Sequence, residues 1–258
     1  MSTLGYILLF TLIGSIGALI GGLILLSYEK FVLKISHFLA SFAAGILLGT
    51  AFFDLLPEAV GEGGEKGIDV FPWVLFGIVL FFLVERFIHW FHHHEEFHKD
   101  EKESKSTLPL IIFGDTMHNF IDGVVIAATF IASVPLGIAT AISVFAHEVP
   151  QEIGDFGLML HKGLKPKGII LVNFLSAAFA FIGAVITYLL GNFLEPHIPA
   201  LLAVTAGFFI YIASSDLIPE IHNEKRKGFA FIESTLLVIG VIVMAVSVSL
   251  LERVTRVF

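Results

Sequence analysis

Cysteine is absent from the 258 residues. The chain therefore has no disulfide framework, no thiolate metal site and no cysteine nucleophile, and its redox compartment stays open. Charge is scarce as well: Asp, Glu, Lys and Arg make up 15% of the chain, against about a quarter in a soluble domain. Methionine is rare, with four residues, which together with the missing thiolates argues against a Cu(I) site. What fills the chain is apolar: 56% hydrophobic residues, 27 Phe and a mean hydropathy of +0.91. Apolar stretches recur along the whole length, each able to cross a hydrocarbon core of about 30 Å with about 20 residues. The fold class is an all-α membrane protein, read as a single polytopic domain over residues 1–258. The net charge of −8 says little about solubility, because several acids lie inside the spans. The first apolar run lacks a basic n-region and a small-residue cleavage site, so it is expected as a retained helix rather than a removed signal peptide.

Eight transmembrane helices are expected, at roughly 4–27, 35–56, 70–90, 108–131, 136–160, 168–191, 198–218 and 229–251. Turn chemistry separates them: Pro57 and Gly61-Glu62-Gly63-Gly64, Pro109, Pro135-Leu136-Gly137, Lys165-Pro166-Lys167-Gly168, Glu195-Pro196 and Pro199. With the N-terminus outside, the inner loops collect Lys30 and Lys34; Arg86, Lys99, Lys102 and Lys105; Lys162, Lys165 and Lys167; Lys225, Arg226 and Lys227. The outer side keeps Lys66, Arg253 and Arg256. Twelve basic residues against three predict that orientation, both termini outside.

An internal repeat supports the same layout. Ala44-Gly45 is followed nine residues after the Gly by Asp54-Leu55-Leu56-Pro57-Glu58, and Ala206-Gly207 at the same spacing by Asp216-Leu217-Ile218-Pro219-Glu220. The copies end the second and seventh segments, so they point oppositely through the membrane. Inverted repeats over about 1–90 and 165–258 would flank a central pair at 108–160, a 3+2+3 arrangement. Asp54 and Glu58 would then face outside, and Asp216 and Glu220 the cytoplasm.

Polar residues concentrate in the central pair. His118 and Asp122 are four apart on one face of the fourth segment, and His147 and Gln151 repeat that spacing on the fifth. Asn119 and Glu148 each follow their histidine, about 100° further round. Glu148, Glu152 and Asp155 share a second face. An ionised acid at the centre of a span costs about 2.5–3.5 kcal/mol, so Asp115, Asp122, Glu148, Glu152 and Asp155 would cost up to roughly 12–17 kcal/mol. No Lys or Arg lies in these two segments to offset them. A cation, protons or a water-filled path must do so. Imidazole, carboxylate and amide oxygen form a set suited to Zn²⁺, with Fe²⁺ or Mn²⁺ open. Pro150 should kink the fifth segment within the cluster. Asp115 and Asp155 mark a polar route from the midplane to the cytosol.

HNFIDG (residues 118–123) and HEVPQEIGDF (147–156) resemble the fourth- and fifth-helix motifs of the ZIP (Zrt/Irt-like) family of divalent metal transporters, in the HNFxDG/HExPHE subfamily. The resemblance covers the whole chain. It implies transport of Zn²⁺ into the cytoplasm as substrate, homodimers in a cell (plasma or inner) membrane, and an elevator-like movement of the first, fourth, fifth and sixth helices. It implies a primary metal site at His118, Asp122, His147 and Gln151 and an adjacent one at Asn119 and Glu148. Two departures stand out. Gln151 replaces the second histidine of HExPH, and Ala180 stands where members with two adjacent metals have a sixth-helix acid, Asn173 being the nearest polar residue.

The rival reading is an intramembrane zinc-dependent hydrolase, since His147-Glu148 opens like HExxH. Gln151 in place of the second His and Pro150 within the helix both count against it. A metal-gated receptor would bind metal without flux. The stretch HWFHHHEEFHKDE lies in an expected cytoplasmic loop at 89–107, where His89, His92, His93, His94 and His98 collect departing metal, sense it, or simply solvate a linker. No nucleic-acid partner and no organic cofactor are expected.

Overall fold

The structure, a computed structural model, describes residues 1–93, 108–161, 164–222 and 229–255. The described residues are almost entirely helical, with no strand among them. The main helices are α1 (Thr3–Thr11), α2 (Leu19–Thr50), α3 (Leu56–Lys66), α4 (Phe71–His93), α5 (Leu108–Ala132), α6 (Val134–His161) and α7 (Pro166–Leu189). After these come a single turn α8 (Gly191–Leu194), then α9 (Ile198–Ile212), α10 (Ile218–His222) and α11 (Phe229–Thr255).

Among the described residues, five stretches are long and apolar enough to cross a membrane: Thr3–Tyr28, His37–Lys66, Pro166–Leu189, Gly191–Ser215 and Phe229–Leu250. The protein is an integral membrane protein. Helices α5 and α6, the fourth and fifth expected segments, have spanning length at 25 and 28 residues, but their polar residues dilute the apolar average. Large apolar side chains stay exposed along α4 (Phe71, Leu75, Phe82), α7 (Leu171, Leu175) and α11 (Phe231, Val238, Ile242), faces suited to lipid. α9 is the inner rod: 72% of its span is buried, against 17% for α11.

Two expected boundaries move. Residues 28–34 were expected as a loop, yet α2 runs through them, bent at Tyr28 (φ −137°, ψ 46°). That stretch holds neither Pro nor Gly to stop a helix. At the other end, helix continues past Pro57 to Lys66, where Gly67 takes the left-handed conformation (φ 68°) that closes it. The cause is a π-helical turn at Ala51–Leu55, in which the Leu56 N–H reaches back to the Ala51 carbonyl. A wider turn drops one residue from the usual ladder, so a proline without an N–H fits there at little cost. The second copy of the repeat does the same: Ala213–Leu217 is π-helical, the Ile218 N–H reaches Ala213, and Pro219 follows. A third π turn, Leu12–Ile16, carries Ser15. α6 continues as helix through Pro150.

The rods pack as α2 on α11 and α6, α4 on α9, and α5 on α7 and α6. Close approach at paired glycines makes three of these contacts. A Cβ on Gly45 would come 2.0 Å from the Leu237 carbonyl oxygen, and one on Gly240 2.4 Å from that of Phe42. Gly77 and Gly207 do the same between α4 and α9, at 2.3 Å from Val204 and 2.2 Å from Val74. Gly123 and Gly183 join α5 to α7, at 1.8 Å from Ala180 and 2.2 Å from Phe120. Small residues let helix backbones meet where lipid removes any hydrophobic drive for association. Gly45 and Gly207 are the glycines of the two repeat copies, and each copy meets a glycine of a different partner helix.

Candidate metal centre

The polar residues of α5 and α6 meet between two apolar cores. Along α5 beyond Asp122 and along α6 before His147 lie Ile126, Phe130 and Val144, packed with Leu47, Leu202 and Phe209. Further along α6, Ile153, Phe156 and Met159 pack with Leu25, Ile169 and Ala177. Between them His118, Asp122, His147 and Glu148 are all buried, each offering a ligand atom within 4.8 Å of the others.

The distances approach those of a coordination shell. His118 Nε2 lies 3.2 Å from His147 Nε2, 3.4 Å from Glu148 Oε1 and 3.9 Å from Asp122 Oδ2. His147 Nε2 lies 3.4 Å from Asp122 Oδ2 and 3.8 Å from Glu148 Oε1. A tetrahedral ion with bonds of about 2.0–2.1 Å spaces its ligand atoms about 3.3–3.4 Å apart.

One hydrogen bond fixes the polarity of the cluster. His147 Nδ1 stands 3.0 Å from the Ser143 carbonyl, which can only accept, so Nδ1 carries the proton. The Nε2 lone pair then faces the carboxylates, as in a metal-ligating histidine oriented from behind. Ser143 is itself held, its hydroxyl against Thr50 Oγ1 of α2 and 3.0 Å from the Ala139 carbonyl. Neither oxygen of Asp122 nor Glu148 Oε1 has a hydrogen-bond donor. These carboxylate oxygens lie without a donor in a buried space, at about 1–3 kcal/mol for each unsatisfied group. A cation at the centre satisfies all of them.

Aromatic rings wall the cluster. Phe81 of α4 and Phe208 of α9 lie 6.0 and 5.8 Å from the His118 ring, and Phe209 6.1 Å from that of His147. A cavity of about 180 Å³ opens beside His118, lined by Phe81, Val84 and Glu85 of α4, Gly114, Met117 and Ile121 of α5, and Gln151 of α6.

The sequence model of a family described as ZIP Zinc transporter matches residues 2–110 and 100–247. The chain belongs to the ZIP family. It is 34% identical over 158 residues to zinc transporter ZIP6 of Homo sapiens, covering 57% of this chain and 21% of that protein. It is 42% identical over 119 residues to zinc transporter ZIP10 of Danio rerio, covering 46% of this chain and 14% of the relative. A third relative, the metal cation symporter ZIP8 of Rattus norvegicus, is 36% identical over 118 residues, 46% of this chain and 25% of its own length. This ZIP chain thus matches only about a fifth of the length of such relatives.

Within this ZIP chain the other expected residues are distributed unevenly. Glu148, expected at a neighbouring site, reaches the same cluster as both histidines, because the α5–α6 seam runs between residues 147 and 148. Gln151 is half-buried on the cavity wall. Asn119 turns its oxygen to Ser15, 2.8 Å away, and its amide to Asp115 Oδ1, 2.9 Å away, so it braces α5 against the π turn. Ala180 is fully buried with its carbonyl against Gly123. Asn173 donates to the Ile169 carbonyl and sits beside Met159. Glu152 is buried with neither oxygen hydrogen-bonded, as are Asp115 Oδ2 and Asn173 Oδ1, while Asp155 is half-buried. Asp54 lies half-buried in the first π turn, and Asp216 and Glu220 belong to the second π turn and α10. His89, His92 and His93 fall on the end of α4, whereas His94 and His98 lie outside the described residues. Sequence reasoning passed over Glu85, although an acid inside the apolar run of α4 is itself a signal.

Proposed function

We propose that this chain is a transporter that carries a divalent transition metal, foremost Zn²⁺, into the cytoplasm through the cluster on α5 and α6. The observation that carries the reading is the His147 lone pair aimed at buried carboxylate oxygens that have no donor, an arrangement that a bound cation relieves. Two imidazoles and two carboxylates suit Zn²⁺, with Fe²⁺ and Mn²⁺ as harder alternatives. The names of the relatives, zinc transporters and a metal cation symporter, support the same cargo.

Eight spans in a 3+2+3 order, with the outer triplets as inverted repeats, give the layout in which both termini are outside. The shared π turns and the glycine pairs of Gly45 and Gly207 support that symmetry. In this orientation α5 runs outward and α6 inward. The cavity at Gly114, Met117 and Gln151 then lies on the cytoplasmic side of His118, while the core around Ile126, Phe130 and Val144 closes the outer side. In that layout the conformation is open inward. The protein works as a homodimer in a cell membrane. Hydrolysis is disfavoured, because Glu148, the base such an enzyme needs, is turned into the ligand set.

The test is radiometal uptake into proteoliposomes that hold the purified chain. Saturable zinc uptake, competed by Fe²⁺ or Mn²⁺ to the extent that the site accepts them, is the expected result. Metal binding without uptake would overturn the transporter reading in favour of a receptor, and peptide or lipid cleavage would favour the hydrolase.

A further inference from the structure

The cavity beside His118 has a second polar wall that the four ligands leave unexplained. Most of its lining is apolar, and its polar groups converge from three helices: His118 from α5, Gln151 from α6 and Glu85 from α4. Few polar groups meeting in an otherwise apolar pocket are the usual mark of a binding site. Glu85 is held in place. The Tyr211 hydroxyl of α9 donates a short hydrogen bond to Glu85 Oε2. That bond orients the carboxylate at the cavity wall. Phe81, one turn before Glu85, lies between His118 (6.0 Å) and Tyr211 (5.7 Å) and fixes the distance between the two walls.

We propose that Glu85 is a further metal-binding residue: with Gln151 it forms a weak, oxygen-only staging site for a partly hydrated divalent cation leaving the central cluster. The proposal rests on the transporter reading above. Its volume of about 180 Å³ accommodates an ion with several waters at about 30 Å³ each. Chemistry sets the order of affinities. The cluster offers two imidazole nitrogens, the cavity a carboxylate and an amide, and Zn²⁺ prefers nitrogen. Conduction needs sites tight enough to load and weak enough to leave, arranged in sequence. Geometry sets the direction as well. His118 and Gln151 ride on α5 and α6, whereas Glu85 and Tyr211 ride on the α4–α9 pair locked at Gly77 and Gly207. An ion that moves from His118 to Glu85 passes from one helix pair to another.

The experiment pairs zinc calorimetry on the full chain in detergent with zinc uptake into proteoliposomes. Glu85→Gln should cut maximal uptake roughly tenfold, the scale of losing an auxiliary metal contact, while the tight binding event keeps its affinity. Tyr211→Phe should give a smaller loss in the same pattern, and Glu85→Asp should recover part of the rate. In a His147→Ala background, weak residual zinc binding should persist and disappear on adding Glu85→Gln. Uptake at the wild-type rate in Glu85→Gln overturns the proposal. So does an equal loss of tight binding in Glu85→Gln and Glu85→Asp, which would make the residue structural. If the unaltered chain moves no zinc, the transporter reading fails, and the Glu85-dependent weak binding still decides whether the second site exists.

Discussion

His147 has two nitrogens with different tasks: Nδ1 is tied to the Ser143 carbonyl at 3.0 Å, and Nε2 faces Asp122 and Glu148. It supplies one of the two imidazole nitrogens of the cluster. His147→Ala, like His118→Ala, is therefore expected to lower zinc affinity by at least about 10–100-fold, the range known for disturbing even the outer contacts of a metal site. Calorimetry on the purified variants checks this, and saturable binding at the wild-type affinity would remove the cluster from the mechanism. Gln151 raises a different question, since it lines the cavity beside His118. An imidazole there would hold Zn²⁺ more firmly than an amide oxygen does. Gln151→His should then tighten zinc binding, slow maximal uptake and narrow selectivity against Mn²⁺. Parallel binding and initial-rate measurements with both metals test it; no change in any of the three would show that Gln151 never touches the ion.

The helices are joined by backbone contacts as much as by side chains. Gly240 of α11 lies where a Cβ would meet the Phe42 carbonyl at 2.4 Å, well away from the metal cluster. Gly123 of α5 lies one residue after the proposed ligand Asp122, and a Cβ there would meet the Ala180 carbonyl at 1.8 Å. Backbone cannot yield as a flexible side chain can, so each Gly→Ala change forces its helix outward at a cost of about 1–3 kcal/mol. Both variants should melt at lower temperature. Gly240→Ala is expected to keep its zinc affinity, whereas Gly123→Ala should lose affinity as well, because α5 carries two of the ligands. Thermal unfolding with and without zinc separates the two: equal zinc-induced stabilisation in both would disprove the coupling. The π turns belong to this scale too. They let Pro57 and Pro219 sit inside continuous helices, a result invisible to turn statistics, which read both prolines as helix ends.

For the molecule as a whole, the distribution of Lys and Arg predicts which side is which. The absence of Cys allows a direct test. A cysteine at Gly61, where the added side chain meets only open space, should label from outside, and one at the exposed Lys165 from the cytoplasmic side. Labelling of both from the same side would break the eight-span layout. Given that layout, the cavity below His118 opens inward, and metal should exchange with the cytoplasmic solution faster than with the outer one in this conformation.

The residues of the site were legible in sequence because a bilayer penalises them. Charged groups without Lys or Arg partners stand out in an apolar chain, and the i,i+4 spacing of His118 with Asp122 puts both on one face. Composition likewise determined the helical, membrane-bound class, since a helix satisfies all its backbone groups within the segment. Tertiary structure alone decided which of those groups meet. Glu148 joins His118, Asp122 and His147 in one cluster, since the angle at which α5 meets α6 selects the neighbours and no spacing within one helix encodes it. Asn119, expected at an adjacent metal site, meets Ser15, because the π turn at Leu12–Ile16 brings a hydroxyl across from a distant part of the chain. Glu85 gained its place opposite His118 only when α4 and α9 packed through their glycines, a contact between segments more than a hundred residues apart.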